Sequence, residues 1–426
     1  MINSNVKNGK SIIGDLLLFI LAFAIPAEPF VPDIVKYVCI GFLFALVIVK
    51  YGKIYLSSFM MWVVVFLLYM CISLCYTPTG SQGLSTIMMM FGSVLHSFSI
   101  IMYLHFRYDD FEEGFIKVMN GFTAGTVAIV LFTIFVERAN LLSGYWRLGK
   151  VVFENYGTFM ILSYSIIICL MWSLYALFEK HFKAYIPIMI LMILAAALSG
   201  TKKTVVAIIM AMPIYFFFKY RKKAFKLVLI MLLVLLAIYL MYIIVMNVDI
   251  LYRTIGNRIE IYIRTIMGET GGSASIVERR DMRNCAIKWF TENPVFGKGV
   301  SAFRALYSMK TGKYLYSHCN YTEILCNHGM VGFILYYGFL LFLLFKSIFE
   351  YIKTNSTIHL FSIVFLFVVM ILDYGQVSYY RVHYLLIYQL IAATVSRTEK
   401  NTEVSVVKSE VNVTNVLGDN GAQQLT

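Results

Sequence analysis

The sequence predicts an all-α polytopic membrane protein of about 12 transmembrane helices, with one large helical extracytoplasmic loop. Three observations lead there. Of the 426 residues, 60% are hydrophobic; the mean hydropathy is +0.77; and apolar runs of spanning length recur along nearly the whole chain. A soluble domain is closer to half apolar, so this composition excludes one.

A spanning helix needs about 20 mostly apolar residues, which places helices at roughly 12–30, 33–50, 55–76, 85–105, 113–136, 157–178, 184–200, 203–219, 225–246, 329–350, 357–373 and 381–396. The first follows Lys7 and Lys10 and resembles a secretory signal; because further spans follow, it reads as an uncleaved helix. Between the seventh and eighth, only Gly200-Thr201-Lys202-Lys203 interrupts the apolar run, so these two helices form a tight hairpin. The chain then divides into a membrane domain of about nine helices over 1–246, a loop over 247–328, about three more helices over 329–396, and a polar, disordered cytoplasmic tail over 397–426. No internal repeat of solenoid or inverted-repeat type is apparent.

Charged residues make up 14% of the chain and the formal net charge is +13. In a membrane protein such a basic excess is an orientation signal rather than nucleic-acid affinity. With the N-terminus cytoplasmic, the inside connections collect Lys50, Lys53, Arg107, Lys180, Lys183, the Lys219–Lys223 cluster, Lys346 and Lys353. The tail is then cytoplasmic too, and the 247–328 interval faces away from the cytoplasm. Some basic residues nevertheless fall on the outer side, at Arg147, Lys150, Lys202, Lys203, Arg381 and in the long loop. Any one of them alone reads as a snorkelling or lipid-phosphate contact. Several converging on one side point to a site for an anion at the outer leaflet.

Within the long loop, Ile250–Met267 has the spacing of an amphipathic surface helix. Gly268–Ser275 reads as a joint, and Ser275 to about Thr291 as a capped helix ending at Asn293-Pro294. The Gly297-Lys298-Gly299 turn is a weak phosphate signal and reads first as a plain tight turn. Cationic side chains clamp phosphate, and proton removal from an attacking hydroxyl calls for a base such as His. His318, in the loop just before the tenth span, is the best placed, with Asn320 and Glu323 near enough to orient it or to bind sugar hydroxyls. His328 is the rival. His105 and His181 fall on the cytoplasmic side, while His96, His359 and His383 lie in or at the ends of apolar helices. Cys39, Cys71, Cys75 and Cys169 read as small apolar packing residues; Cys285, Cys319 and Cys326 lie in or beside the loop, with no pairing expected. No His/Cys spacing suggests a metal site, and no cofactor is expected.

Taken together, Arg279, Pro294-Val295-Phe296-Gly297-Lys298-Gly299, His318-Cys319-Asn320, Glu323 and Gly329-Met330-Val331-Gly332 resemble the O-antigen ligase and Wzy-type polysaccharide polymerase family of bacterial envelopes. Arg147-Leu148-Gly149 and Leu198-Ser199-Gly200-Thr201-Lys202 are similar to two upstream segments of that family, with Lys202 where Arg is usual. The resemblance covers roughly residues 145–350. It implies a metal-independent membrane glycosyltransferase of GT-C-like arrangement in the inner (cytoplasmic) membrane. Arg279, Arg147 and Lys202 would hold the diphosphate of an undecaprenyl-linked glycan, with Lys203, Arg280 and Arg381 as further cationic contacts, and His318 would activate the acceptor hydroxyl. Which of Arg279 and Arg280 faces the ligand stays open. A polymerase of O-antigen or capsule repeat units is the first reading and a ligase to lipid A core or another acceptor the second; both imply a flippase and a chain-length regulator as possible partners. A transporter is a third reading, weakened because the polar mass is one-sided and loop-borne.

Overall fold

The computed structural model describes residues 12–142, 148–154, 159–257, 260–261, 264 and 274–398. The described residues are helical throughout, apart from turns and connections. In chain order the helices are α1 (Ile12–Ala24), α2 (Asp33–Tyr51), α3 (Ser58–Ser73), α4 (Gly80–Arg107), α5 (Phe111–Leu142), α6 (Lys150–Glu154), α7 (Phe159–Phe178), α8 (Tyr185–Ser199), α9 (Lys202–Tyr220) and α10 (Ala224–Asn247). Beyond the Asp249–Gly256 turns come α11 (Ala274–Glu292), α12 (Ala302–Thr311), α13 (Asn320–Thr354) and α14 (Thr357–Leu372), and α15 over 382–398.

Seven of these helices are long and apolar enough to cross a membrane, and α1, α3, α8 and α14 are shorter apolar helices. The chain is a multi-pass membrane protein, and its lipid-facing surface is direct to read. In α10, twenty-four mostly aliphatic residues bury only Val234. In water that surface would be untenable, whereas hydrocarbon imposes no such penalty. The opposite case is α15, whose residues 382–395 are all buried, and α7, buried from 161 to 176. Around this centre α1 packs on α5, α2 on α4, α7 on α8, α9 on α14, and α13 on α3, α11 and α14.

The end of the bundle remote from α11 and α12 is tied by charge. Arg397 donates to the carbonyls of Tyr108 at 2.9 Å and Asp109 at 3.0 Å, Lys219 pairs with Glu179 at 2.7 Å, and Tyr175 donates to Glu112 at 2.6 Å. Helix-end carbonyls such as Tyr108 O otherwise lack donors, which gives Arg397 a structural role.

Three expected boundaries move. The α8–α9 break is only Gly200, in the left-handed region (φ 58°), and Thr201; Lys202 and Lys203 begin α9 instead of lying in the break. Helix α13 starts at Asn320, with Gly329 (φ 62°, ψ −163°) kinking it in two, so the polar turn carrying Asn320 and Glu323 is already helical. Of the amphipathic stretch Ile250–Met267, the described part opens as a helical turn and a π-helical turn over Tyr252–Gly256, with Tyr252 Oη donating to Glu260 at 2.6 Å. The loop helix expected from Ser275 to about Thr291 is α11.

Candidate active site at the loop end of the bundle

The Pro294–Gly299 turn is a backbone lock. Its last three amides are committed to protein acceptors: Gly297 N–H to Asn293 O (2.9 Å), Lys298 N–H to Cys326 O (2.8 Å) and Gly299 N–H to Asn327 O (2.8 Å), with Val300 N–H just beyond bonded to Ser73 Oγ (3.1 Å). The amides of the Gly297-Lys298-Gly299 segment are thus engaged within the protein, as in a plain tight turn. In return, Met330 and Val331 donate to Pro294 and Val295. The two chains approach so closely that a Cβ on Gly329 would stand 2.3 Å from Val295 O, and one on Gly297 2.5 Å from Gly329 N. Both residues also have positive φ, so glycine is needed for space and for conformation. This lock joins the end of α11 to the kink in α13.

The His318 turn is built by its neighbours. His318 itself is in the left-handed region, φ 58°, a conformation that costs a non-glycine residue about 1 kcal/mol and persists where surroundings enforce it. Ser317 N–H donates to the buried Glu323 carboxylate at 2.7 Å, and Ser317 Oγ donates to Cys319 O at 2.8 Å. Asn320, fully buried, donates from its amide to Asp373 Oδ2 at 3.1 Å and to Tyr337 Oη at 2.9 Å, and accepts from Ser378 N–H at 3.1 Å. Asp373 also accepts from Tyr337 Oη (3.0 Å) and Ser378 Oγ (2.6 Å). The network ties the start of α13 to the 373–381 segment. Asn320 and Glu323 therefore hold the turn that presents His318, and neither carries a free face toward a ligand.

Around that turn the cations gather from separate parts of the chain. The His318 ring lies 4.1 Å, centroid to centroid, from that of Tyr316, and its Nδ1 is buried with no hydrogen-bond partner among the described residues. Burial first, then the Arg279 and Lys203 charges, push its pKa down to about 3. Tyr316 is raised by burial and by Tyr380, while Arg381, Arg279 and Arg304 pull it back. Lys203, on α9, lies over the Tyr164 ring at 5.8 Å. Arg304, on α12, donates to Tyr380 Oη at 2.6 Å and lies 5.8 Å from the Tyr316 ring centroid. Arg381 lies over Tyr380 at 5.0 Å, with its Nε buried and unpartnered among the described residues. Residues from α9, α11, α12 and the 381 bend thus surround one imidazole and one phenol. Such an arrangement binds an anion and keeps a neutral imidazole beside it.

The arrangement bears on the residues singled out by sequence. Arg279 is half-buried and Arg280 exposed, so Arg279 is the one whose charge reaches His318. Arg279, Lys203, Arg381 and His318 are brought together. Arg147 lies outside the described residues, although Leu148–Val152 just after it are pinned by the buried Glu137 carboxylate, which accepts from Gly149, Val151 and Val152 N–H at 2.9 Å each. Lys202 begins α9, but its side chain lies outside the described ones. His328 is fully buried, with both ring nitrogens unpartnered among the described residues and Phe66, Tyr69 and Tyr379 around it. It is a packing residue under the lock. Sequence reasoning missed Arg304, Tyr316 and Asp373. Asp373 alone had a usable signal, an ionisable residue closing an apolar run. Among the described residues, no group of three His, Cys, Asp or Glu side chains is placed to hold a metal.

Residues 187–337 match the family model described as O-Antigen ligase. Over that stretch the chain is similar to the O-antigen ligase family. The match runs from α8 through the lock and the His318 turn into α13, and so spans Lys203, Arg279, Arg304 and His318 in one block. Asp373 and Arg381 fall beyond its end and join the site only through the fold. No curated protein matches the chain.

Proposed function

We propose that this protein is a membrane glycosyltransferase that polymerises lipid-linked glycan. It would transfer an undecaprenyl-diphosphate-linked oligosaccharide onto a hydroxyl of another lipid-linked repeat unit, at the outer face of the cytoplasmic membrane. The observation that carries this reading is the convergence of Arg279, Lys203, Arg304 and Arg381 on the Tyr316–His318 pair. In the reaction His318 takes the proton from the acceptor hydroxyl as its oxygen attacks the anomeric carbon. A new C–O bond forms, the bond from that carbon to the diphosphate oxygen breaks, and the electron pair leaves with the diphosphate, whose charge the cations stabilise. A neutral His318 suits this role because it need not lose a proton first. The full reading has twelve spans, a GT-C-like arrangement, both termini cytoplasmic, Arg147 and Lys202 as further diphosphate contacts, and a flippase and a chain-length regulator as partners.

The test uses purified protein with an undecaprenyl-diphosphate repeat unit, resolved on a glycan ladder gel. Wild type should build a ladder that folded His318→Ala and Arg279→Ala variants lose. Single transfer only after a separate acceptor is added would make it a ligase. Vesicle transport without any transfer would replace the enzyme reading by a transporter.

A further inference from the structure

A second polar opening lies on the other side of the 378–382 segment from His318. It is a cleft of about 380 Å³ between the α1–α2 connection and α4, within the range of ~300–1,000 Å³ typical of small-molecule sites. Its polar lining includes Glu28, Asp33, Lys36, Ser93 and His96, and its apolar lining includes Tyr37, Met88 and Met89. The 380–382 segment touches both sites. Val382 lines the cleft, Ser93 Oγ donates to Tyr380 O at 3.2 Å, and the Arg381 charge acts on Glu28 on one side and on Tyr316 on the other.

The chemistry of the lining differs in sign from the cationic centre. Asp33 and Lys36 neutralise one another at 2.5 Å, and the His96 Nε2 is engaged by Leu21 O at 3.0 Å. Among the described residues the Glu28 carboxylate has no hydrogen-bond partner, and its pKa is raised by burial against the pull of Arg381 and Lys36. With Lys36 paired to Asp33, a phosphate finds no free cation among the described lining residues. Hydroxyl and ammonium donors are attracted, and the methionine and tyrosine surfaces take the apolar C–H face of a ring. Gly92 keeps the cleft open, since a Cβ there would stand 2.9 Å from Tyr37 Oη.

Resting on the glycan-transfer reading, we propose that this cleft is a sugar subsite that takes a neutral or amino sugar residue of the lipid-linked glycan and discriminates against acidic sugars. Its placement across the 380–382 segment lets one glycan be held there while its neighbour reacts at His318.

The experiment is saturation-transfer NMR on the full chain in lipid nanodiscs, with free glucose, N-acetylglucosamine and glucuronate as probes. Wild type should give signal for the first two, with glucuronate at least fivefold weaker. Ser93→Trp and Met89→Trp, both of which fill the cleft, should reduce the neutral-sugar signal about tenfold, and Glu28→Gln should raise glucuronate toward the neutral sugars. Met89 is half-exposed, so its variant tests the cleft even if the Ser93 change harms folding. Neutral-sugar signal unchanged in a folded Met89→Trp protein, or glucuronate equal to glucose in wild type, would overturn the proposal. Running the ladder assay on the same samples separates the two readings. Cleft-dependent sugar binding without any glycan transfer removes the transferase and keeps a carbohydrate site. Transfer without cleft-dependent binding removes the subsite alone.

Discussion

The depressed His318 pKa makes the most exacting prediction. An imidazole with an ordinary pKa of about 6.5 is roughly nine-tenths protonated at about pH 5.5 and would cost a base-dependent reaction about tenfold there relative to about pH 8. With its pKa pushed to about 3, His318 stays neutral over that whole range. The direction is that of a lowered pKa: the neutral form is fully present above it and is lost only as pH falls through about 3. The pH profile of kcat/KM, which reports the free enzyme, should therefore be flat on its acid side down to about pH 5. Arg279→Gln removes the second-largest cause of the shift. It should lower the rate overall and also bring an acid limb up into the measurable range, still below the ordinary value because burial is the largest cause. The assay is initial transfer rate at limiting donor, using a fluorescent acceptor glycan. A wild-type half-loss near about pH 6.5, or identical profile shapes for wild type and Arg279→Gln, would refute the claim that a buried imidazole flanked by these cations is the base.

Arg280 points out while Arg279 reaches the site, so Arg280→Ala should stay within about threefold of wild type in ladder formation, against about a hundredfold or more for Arg279→Ala. Gly329→Ala forces a Cβ to 2.3 Å from Val295 O at positive φ, and should cost on the order of 3 kcal/mol, seen as a lower unfolding midpoint in detergent. Gly312→Ala, also at positive φ but with open space around it, should cost only about 1 kcal/mol. Asn320→Ala leaves the buried Asp373 carboxylate short of a donor; a stability loss of about 2 kcal/mol is expected, with kcat falling more than KM because the His318 turn loses its anchor.

Much of the fold was legible because a lipid-facing helix advertises itself over some 20 residues, a signal that needs no partner. Each of the twelve expected apolar segments coincides with a helix, and α11 lies where the Ser275 and Asn293-Pro294 signals put it. The boundary errors share a cause. Helix ends are decided by which acceptor is nearby, and that acceptor is often distant in sequence. Asn320 is helical because Asp373 and Ser378, more than 50 residues on, meet its amide.

The sequence by itself determined the helical membrane class, the polar interval that carries the candidate site, and the residue types found in it, since composition, periodicity and charge are local properties. The tertiary structure alone decided which members of that inventory act together. It turned Arg279 inward and Arg280 outward, committed the glycine turn to a backbone lock, buried His328 in packing, and drew Arg304 and Tyr316 toward His318 and Asp373 to Asn320. Those choices depend on which helix faces which, and the long-range contacts that set facing leave no periodic trace in the chain.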